Sequence, residues 1–450
     1  MRPTDEKITG TDARRDTIYA LASGLGRAAI AVLRLSGPNV RSIVAAIAGK
    51  QPEPRRAQLR SFKDPSTKTE IDRGLALFFP APGSFTGEDC AEFHIHGGPA
   101  VAAAMIRALA SFETTRPAEP GEFTRRAFEN GKLDLTEVEG LGDLIEAETE
   151  AQRRQALRQA EGSLRHKAED WRARLIEAAA LVEAEIDFAD EADVAPLARA
   201  KLSAQLAGLR ADLEAALRAA QAGERLRDGL TVVIAGPPNA GKSTLFNALA
   251  RREAAIVSAL PGTTRDALEL HLDLGGYPVT LIDTAGLRAS EDAIERIGMA
   301  RTRARAEAAD LVLWLSETPD PPPRGFASGR DLWPILTKID LHPEAAPARG
   351  RIALSAATGA NLELLVQKLA AFARASTGGG EPGLITRERQ RKAIAGAAAA
   401  LRRAETALAA PVELLAEELR TATRALERLT GRIDVDDVLG EIFARFCIGK

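Results

Sequence analysis

The sequence is poor in cysteine and in aromatic residues. Cys90 and Cys447 are its only two cysteines among 450 residues, and aromatic residues make up 4% of the chain. Two cysteines so far apart argue against a disulfide framework, and they favour a reducing, cytoplasmic environment. Because aromatic residues are scarce and Ala, Leu, Glu and Arg are abundant, the composition favours a protein rich in packed helices.

Long apolar runs and an excess of one charge are missing as well. No stretch reaches the apolar length of a membrane span, so we expect no membrane partner. The formal net charge of −3 excludes a global basic field, so a nucleic acid must be held by a local patch or by another protein. Residues 1–15 mix Arg with Asp and Glu without an apolar core, which predicts a disordered extension and not a signal peptide.

The length and the periodicity predict several domains. At 450 residues the chain is too long for one ordinary domain. Residues 16–133 alternate short β-like runs, at 29–35, 74–79 and 92–96, with helical stretches, which predicts an α+β or α/β domain. Helical patterns at 136–187 and 197–226 predict a helical part over residues 134–225, and helical patterns return in 377–450 after a glycine-rich linker at 376–380. Residues 226–376 then form an inserted domain, so the predicted fold class is a multidomain α/β plus α protein with a discontinuous helical domain.

The most specific motif is a glycine-rich loop after a predicted strand. Residues 236–243 read Gly-Pro-Pro-Asn-Ala-Gly-Lys-Ser, a complete G-x-x-x-x-G-K-[ST] pattern, and they follow the apolar run 230–235. The N–H groups of such a loop and the N-terminus of the next helix cradle phosphates, while Lys242 reaches the β- and γ-phosphates and Ser243 ligates Mg²⁺. This context predicts a P-loop nucleotide triphosphatase and argues against an ordinary strand-to-helix turn.

Further segments follow in the order expected of a Ras-like GTPase domain. Alternating leucines and the Gly275-Gly276 turn predict a hairpin that carries Asp283 to the phosphates, where it holds Mg²⁺ through water. Asp340 would accept hydrogen bonds from the guanine N1–H and N2–H₂ groups, which adenine cannot offer, so GTP is the predicted ligand. The predicted GTP-binding residues are Asn239, Ala240, Gly241, Lys242, Ser243, Thr244, Ser258, Ala259, Leu260, Pro261, Gly262, Thr263, Thr264, Asp283, Thr284, Ala285, Gly286, Thr337, Lys338, Asp340, Ser355, Ala356 and Ala357.

Two residues depart from a Ras-like site. Leu287 occupies the place of the glutamine that positions water, so hydrolysis needs another group, and residues 288–296 carry several carboxylates. Thr337 occupies the place of an asparagine that usually braces the loop and touches the base. Because threonine is shorter, we expect weaker guanine affinity, although Asp340 remains.

Motifs outside these segments point to one family. They are Phe-Thr-Gly-Glu-Asp at 85–89, His-Gly-Gly-Pro at 96–99, Pro-Gly-Glu-Phe-Thr at 120–124, Asn-Gly-Lys-Leu-Asp at 130–134 and Phe-Cys-Ile-Gly-Lys at 446–450. With the GTPase motifs, they make the chain from about residue 16 onwards resemble the MnmE (TrmE) family of tRNA-modifying GTPases. Members are implicated in placing a carboxymethylaminomethyl group on C5 of the wobble uridine of certain tRNAs. The resemblance implies tRNA as substrate and a complex with the flavin- and NADH-binding MnmG (GidA) protein.

The resemblance also implies a folate site in the N-terminal domain. That domain would have a tetrahydrofolate-binding-like fold and would bind 5-formyl-tetrahydrofolate at a homodimer interface, with Arg34, Glu92, Lys132 and Lys450 matching the family's contacts. A carboxylate such as Glu92 can pair with the donor edge of a pterin, and cations suit the glutamate tail or the formyl oxygen. Without the resemblance, Arg34 is more simply a solvated side chain on a strand.

For hydrolysis, the resemblance implies activation by K⁺ and by dimerisation of GTPase domains. Ser243 and Thr264 match the Mg²⁺ ligands, and a K⁺ ion would neutralise developing charge as an arginine does in other GTPases. Glu295 matches the family's general-base candidate, acting through a bridging water, although by itself it is one acid among several on an exposed helix. The positions that match the K⁺ ligands are Asn239, Ser258, Leu260 and Thr263.

Cys447 and a pair of histidines leave alternatives open. The Cys447 thiolate could add to uracil C6 and activate C5, and a small packing residue in the last helix is an equal alternative. His94 and His96 share a strand face, but without a third ligand nearby a structural or ligand-lining role is favoured over a metal site.

Two other functional classes compete with a modification enzyme. One is a GTP-switch protein that binds RNA, such as a ribosome-assembly GTPase, and the other is a scaffold whose helices only dimerise the GTPase domain. The chain has no KH-type Gly-x-x-Gly module and no strongly basic tail, which disfavours the first class. Binding of 5-formyl-tetrahydrofolate would separate the modification enzyme from both.

Overall fold

The structure is a computed structural model that divides into two compact units. The first unit comprises Met1–Gly142 and Thr430–Lys450, and the second comprises Asp143–Leu429. The residues described are 16–24, 26–187, 195–252, 254–256, 268–283, 307–319, 322, 331–341, 351–379, 383–433, 436–444, 446 and 448–449. None of the helices in these ranges is long and apolar enough to cross a membrane.

A six-stranded sheet forms the centre of the first unit. Its strands lie in the order β3-β4-β5-β2-β1-β6, and neighbours are antiparallel except for β1 and β6. The strands predicted at 29–35, 74–79 and 92–96 are present, with ends within four residues of the prediction. The strand bounds are β1 (Thr17–Leu21), β2 (Ile30–Ser36), β3 (Gln58–Lys63), β4 (Glu70–Phe79), β5 (Cys90–His96) and β6 (Thr115–Pro117).

Helices cover one face of this first sheet. Residues Ala31, Leu33 and Leu35 of β2 alternate with partly exposed residues and pack in one core with apolar residues of α1 and α2. Gly121, at φ +67°, precedes α3, where a Cβ would lie 2.8 Å from the Phe443 carbonyl oxygen, so only glycine fits. The helix bounds are α1 (Val40–Ala48), α2 (Pro99–Ala110), α3 (Glu122–Glu129) and α4 (Leu135–Glu146).

The helical pattern predicted over 136–187 is divided into separate helices. After α4, Thr149 caps α5 (Glu150–Ala160) in a capping box with Gln152, because its hydroxyl accepts the Gln152 N–H. Gly162, at φ +83°, separates α5 from α6 (Ser163–Asp187). Next, α7 (Ala195–Asp228) extends the helix predicted at 197–226 by two residues at each end.

The second unit contains a second six-stranded sheet, in the order β12-β11-β10-β7-β9-β8. Only β8 is antiparallel to its neighbour, since it pairs with β9 in the predicted hairpin. The bounds in this part are β7 (Leu230–Ala235), α8 (Lys242–Ala250), β8 (Leu268–Leu274), β9 (Tyr277–Asp283), β10 (Leu311–Ser316), β11 (Asp331–Leu336), β12 (Ile352–Ala353) and α9 (Leu362–Ser376).

Helices that precede and follow this second sheet in the chain share one core. Trp171 of α6 and Leu213 of α7 are fully buried with Leu401 of α10 (Glu388–Ala407) and Leu419 of α11 (Val412–Thr430). The sheet is therefore inserted in sequence between helices that pack together. In the first unit, the last helix, α12 (Asp436–Ala444), contributes Phe443 to a small core with Val138 and Phe446.

Candidate functional site

The phosphate-loop sequence follows the buried strand β7, which lies between β9 and β10. Parallel strands present their carboxyl ends at one edge of a sheet, and ligands of α/β folds bind at that edge. Gly236 has φ +148°, and a Cβ there would lie 2.2 Å from the Leu315 carbonyl oxygen, so only glycine fits against β10. Gly241, at φ +85°, is the N-cap of α8. The predicted strand, loop and helix are all present.

The hairpin brings a carboxylate to this loop. Leu268 pairs with Asp283 at its open end, and Asp283 is fully buried. The Ser243 Oγ donates a hydrogen bond of 3.1 Å to Asp283 Oδ2. A hydroxyl and a carboxylate side by side supply the oxygen ligands that Mg²⁺ prefers, so these two residues fit the ion.

Lys242 lies against the loop that precedes it. Its Nζ donates to the carbonyl oxygens of Gly236 (3.0 Å) and Pro237 (2.7 Å). Burial lowers the pKa of Lys242, and the negative charge of Asp283 partly opposes that shift. The ammonium group is thus held at the loop where a phosphate would lie. Asn239 is exposed at the tip of this loop with φ +62°.

Thr337 contacts the phosphate loop directly. Its Oγ1 lies 2.9 Å from the Ala240 carbonyl oxygen and 3.2 Å from that of Ser316, so the single hydroxyl proton can be donated to either. Thr337 is buried, and Ala240 is buried as well. The shorter side chain therefore supplies the loop brace that asparagine usually provides.

The base-recognition segments lie at the ends of β11 and β12. Lys338 has φ +56°, and its Nζ pairs with Glu317 at 2.6 Å. Asp340 is exposed, so its carboxylate is accessible to a guanine edge. Ser355 is buried in a tight turn before α9, where its Oγ accepts the Thr358 N–H; Ala356 is half-buried, and Ala357 and, in the loop helix, Thr244 are exposed.

Several predicted site residues lie outside the described residues. For these residues the sequence predictions remain predictions. They are Ser258, Ala259, Leu260, Pro261, Gly262, Thr263, Thr264, Thr284, Ala285, Gly286, Glu295, Cys447 and Lys450.

The first unit brings two of the predicted folate residues together. Arg34 Nε and Nη2 donate to Glu92 Oε1 at 3.1 and 3.0 Å, because β2 and β5 are paired with these residues in register. Both side chains line a cavity of roughly 230 Å³, with Phe79 and Phe85 among its walls. The site therefore offers a cation and a carboxylate beside aromatic surfaces.

Of the other two predicted folate contacts, Lys132 is described and Lys450 lies outside the described residues. Arg34 Nη1 lies 3.5 Å from the carbonyl oxygen of Gly449, the residue before Lys450, so the C-terminal segment reaches Arg34. Lys132 is not among the lining residues, and its Nζ donates to the Pro82 carbonyl oxygen at 3.1 Å. Of the three expected residues that the structure describes, Arg34 and Glu92 meet in the cavity itself and Lys132 does not.

Sequence reasoning missed two residues that line the same cavity, Arg55 and Cys90. Cys90 could have been found, because it lies two residues before Glu92 and therefore shares its strand face. Its Sγ lies 3.1 Å from the Thr86 hydroxyl. Arg55 lies in a loop before β3 at φ +60°, and no local signal connects it to this cavity.

The two histidines have separate carboxylate partners. His94 Nε2 lies 3.2 Å from Glu92 Oε2, and His96 Nδ1 lies 2.8 Å from Asp72 Oδ1. Within the ranges described, no group of three or more His, Cys, Asp or Glu side chains could hold a metal ion. His94 therefore contacts the cavity carboxylate Glu92, but it is not one of the residues that line the cavity.

Comparison with known proteins covers nearly the whole chain. The family profile for the MnmE helical domain matches residues 135–447, and that for the GTP-binding protein TrmE N-terminus matches residues 17–132. The tRNA modification GTPase MnmE of Beijerinckia indica is 58% identical over 440 residues, or 97% of each chain. The protein of the same name from Rhodopseudomonas palustris is 55% identical over 454 residues, or 100% of each chain. Among solved structures, Aquifex aeolicus Era matches 38% of this chain and 66% of its own at 23% identity, with a TM-score of 0.26, which is too low to support an argument.

Proposed function

The chain belongs to the MnmE (TrmE) family of tRNA modification GTPases, and we propose that it couples GTP hydrolysis to modification of the tRNA wobble uridine. Its substrate would be tRNA, and the group added at C5 would be carboxymethylaminomethyl, with a folate supplying one carbon. The observation that carries the nucleotide half of this proposal is the meeting of Ser243, Asp283 and Thr337 at the phosphate loop.

The nucleotide site has the parts that GTP hydrolysis requires. The loop N–H groups and Lys242 would bind the phosphates, and Ser243 with Asp283 would hold Mg²⁺, which neutralises charge on the β- and γ-phosphates. Asp340 would select guanine. For the hydrolytic step we propose Glu295 as general base through a water, with Thr264 as the second Mg²⁺ ligand from the protein.

A monovalent cation is part of this proposal. Asn239, at the tip of the loop, offers a side-chain carbonyl, and Ser258, Leu260 and Thr263 would supply further oxygens. K⁺ at that place would stabilise the charge that develops between the phosphates. The phosphate loop at 236–243 contains no arginine, and Leu287 stands in the place of the glutamine. We further propose that the GTPase part dimerises when K⁺ binds.

The folate half of the proposal rests on the Arg34–Glu92 pair. A carboxylate held by an arginine in a cavity with Phe79 and Phe85 suits a flat heteroaromatic ring that carries hydrogen-bond donors. We propose 5-formyl-tetrahydrofolate or a related folate as ligand, bound in a homodimer, with Lys132 and Lys450 as further cationic contacts. Cys447 would either add to uracil C6 or serve as a small packing residue.

The partner proposed for the full reaction is the flavin- and NADH-binding MnmG (GidA) protein, acting with this chain in the cytoplasm. A GTP-switch protein that binds RNA or assists ribosome assembly is the alternative function, and a GTPase scaffold is another. Neither alternative explains why Arg34 and Glu92 form a pair that lines a cavity.

Mass spectrometry of wobble nucleosides tests the proposal directly. In cells that lack the gene, the modified uridine should disappear, and the wild-type gene should restore it. Glu92→Gln should weaken binding of 5-formyl-tetrahydrofolate to the purified protein, whereas Asp72→Asn, which alters the neighbouring His96 pair, should leave it unchanged. Unaltered wobble nucleosides in the deletion strain would favour the RNA-switch alternative.

A further inference from the structure

Two chain connections join the second sheet to the helices that share a core. Gly229 links α7 to β7, and residues 377–387 link α9 to α10. Side chains of α4 and α5 contact the C-terminal part of α7 and the segment before α10. We propose that four residues, Asp143, Ala151, Gln152 and Gln155, form a connection clamp that couples the state of the GTP site to α7 and α10.

Gln155 bridges α7 and the segment before α10 with one amide group. Its Nε2 donates to the Gly223 carbonyl oxygen at 3.1 Å and to the Gly383 carbonyl oxygen at 3.2 Å, so both N–H bonds are used. The backbones meet without side chains between them, because a Cβ on Gly223 would lie 2.2 Å from the Ile385 carbonyl oxygen. Since Gln155 is buried, loss of its amide would remove a buried donor from both carbonyl oxygens.

Asp143 also bridges α7 and the segment before α10, through ion pairs with two arginines. Its Oδ1 accepts from Arg227 Nε at 3.1 Å and from Arg387 Nη2 at 2.5 Å. Arg227 lies in the last turn of α7, and Arg387 immediately precedes α10. The Asp143 side chain is only 8% exposed, so solvent screens these pairs weakly. Loss of this carboxylate would leave two arginines partly buried without its charge.

The clamp also contacts the hairpin that carries Asp283. The Ala151 N–H, in the first turn of α5, donates to the Gly276 carbonyl oxygen at 3.0 Å, and Gln152 Nε2 donates to the Arg227 carbonyl oxygen at 3.0 Å. Gly276 immediately precedes β9, and β9 ends at Asp283. A strand of this length spans about 23 Å, so the GTP site and α5 contact opposite ends of one rigid strand.

A displacement of Asp283 along or across the sheet would therefore move the Gly276 carbonyl relative to Ala151. Helix α5 would pass that movement to α7 and to the segment before α10, since Gln155 and Asp143 hold both. Such coupling requires two arrangements that the nucleotide binds with different affinity. This inference rests on the GTPase activity, and it adds the route by which the nucleotide acts on the helices.

The test uses the purified full-length protein and two variants of the clamp. Gln155→Met keeps the length of the side chain and removes both N–H donors. Ala151→Pro removes the single N–H that contacts Gly276, in a helix turn where proline is tolerated. The controls are Glu405→Gln, which removes an α7–α10 ion pair with Arg210, and Glu150→Pro, which places proline one residue earlier and removes the exposed pairs of Glu150 with Arg153 and Arg154.

Hydrogen exchange at residues 219–228 and 383–390 is measured once with GDP bound and once with a non-hydrolysable GTP analogue bound, and the two rates are compared. We expect a nucleotide-dependent difference in the wild type and in both controls, and its loss in both clamp variants. GDP affinity and basal GTP turnover should stay within about twofold of wild type, because neither residue contacts the phosphate loop. If one clamp variant fails to fold, the other variant by itself tests the proposed coupling.

Three results would overturn the clamp: an unchanged nucleotide-dependent difference in the clamp variants, no difference in the wild type, or equal loss in the controls. Wobble-uridine modification is then measured in cells. We expect modification to fall at least tenfold with the clamp variants while GTP turnover is retained. If wild-type protein modifies no uridine but shows the exchange difference, the proposed function fails and the clamp stands.

Discussion

The Ser243 hydroxyl donates to the Asp283 carboxylate over 3.1 Å, although the two residues are 40 positions apart in the chain. Ser243 lies in the first turn of α8, and Asp283 ends β9. Because β7 lies directly beside β9, their carboxyl ends bring loop and carboxylate to one place. This contact defines where Mg²⁺ would bind and supports the first prediction.

Asp283→Asn should lower the apparent Mg²⁺ affinity of the GTP complex by about 10- to 100-fold, the usual effect of losing a group that orients a metal ligand. The amide keeps the shape of the side chain and removes its charge. Titration of GTP binding against Mg²⁺ concentration measures the change. Glu269→Gln, an exposed position in the same hairpin, is the control, and equal Mg²⁺ dependence in both variants would contradict the assignment.

Thr337→Val should weaken GDP binding by about tenfold, because the buried Ala240 carbonyl oxygen loses its donor. Valine has the same shape, so packing is preserved. Thr337→Ser retains the hydroxyl and should bind nearly as wild type, as measured with a fluorescent GDP analogue. A similar loss in both variants would mean that the methyl group, and not the hydroxyl, positions the loop.

GTP turnover should be faster in K⁺ than in Na⁺ at matched ionic strength. Asn239 offers an oxygen beside the phosphates, and a K⁺ ion there would take the role of a missing arginine. Asn239→Ala should remove the preference while retaining GDP binding. Equal wild-type turnover in the two salts would exclude the proposed cation site.

Glu295→Ala should lower GTP turnover by roughly 10²-fold or more while retaining nucleotide affinity, the scale expected for a general base. The reason is chemical, since Leu287 cannot orient or deprotonate water. Single-turnover kinetics separate this step from binding. A variant that instead loses GTP affinity would assign Glu295 a structural role.

The Glu122 carboxyl should make part of the stability of the first unit dependent on pH. Burial opposes its ionisation, but hydrogen bonds from Arg116, Arg126 and the Glu119 N–H outweigh burial and lower its pKa from 4.5 to about 2. A depressed pKa stabilises the fold above the unfolded pKa, and this stabilisation is lost as the pH falls from 4.5 towards 2.

Glu122→Gln should therefore destabilise the region of residues 115–129 at pH 7, on the order of 3 kcal/mol, and progressively less below pH 4. Hydrogen exchange of that region in the full chain provides the measurement. Glu119→Gln is the control, because its carboxylate is largely exposed and pairs with Arg125 on the surface. A cost of Glu122→Gln that is independent of pH would show that the ionised form does not provide the stabilisation.

The sequence by itself determined the local parts of the nucleotide site. The loop at 236–243, its strand, its helix and the hairpin ending at Asp283 all formed as predicted, since each depends on residues close together in the chain. The sequence also identified the family, because the motifs at 85–89 and 446–450 occur in the same chain as the GTPase motifs. Loop and hairpin chemistry requires specific residues at fixed spacing, so a single sequence contains it.

Only the tertiary structure decided which distant residues meet. No local pattern indicated that the Thr337 hydroxyl contacts the Ala240 carbonyl oxygen, or that Gln155 joins Gly223 to Gly383, 160 residues apart. Arg34 could be paired with Glu92 only once β2 and β5 were in register. Such contacts depend on strand order and on how helices pack, and many side chains could occupy these positions with the same local propensity. The free energy that selects the partners comes from burying both groups together, and that burial exists only in the folded chain.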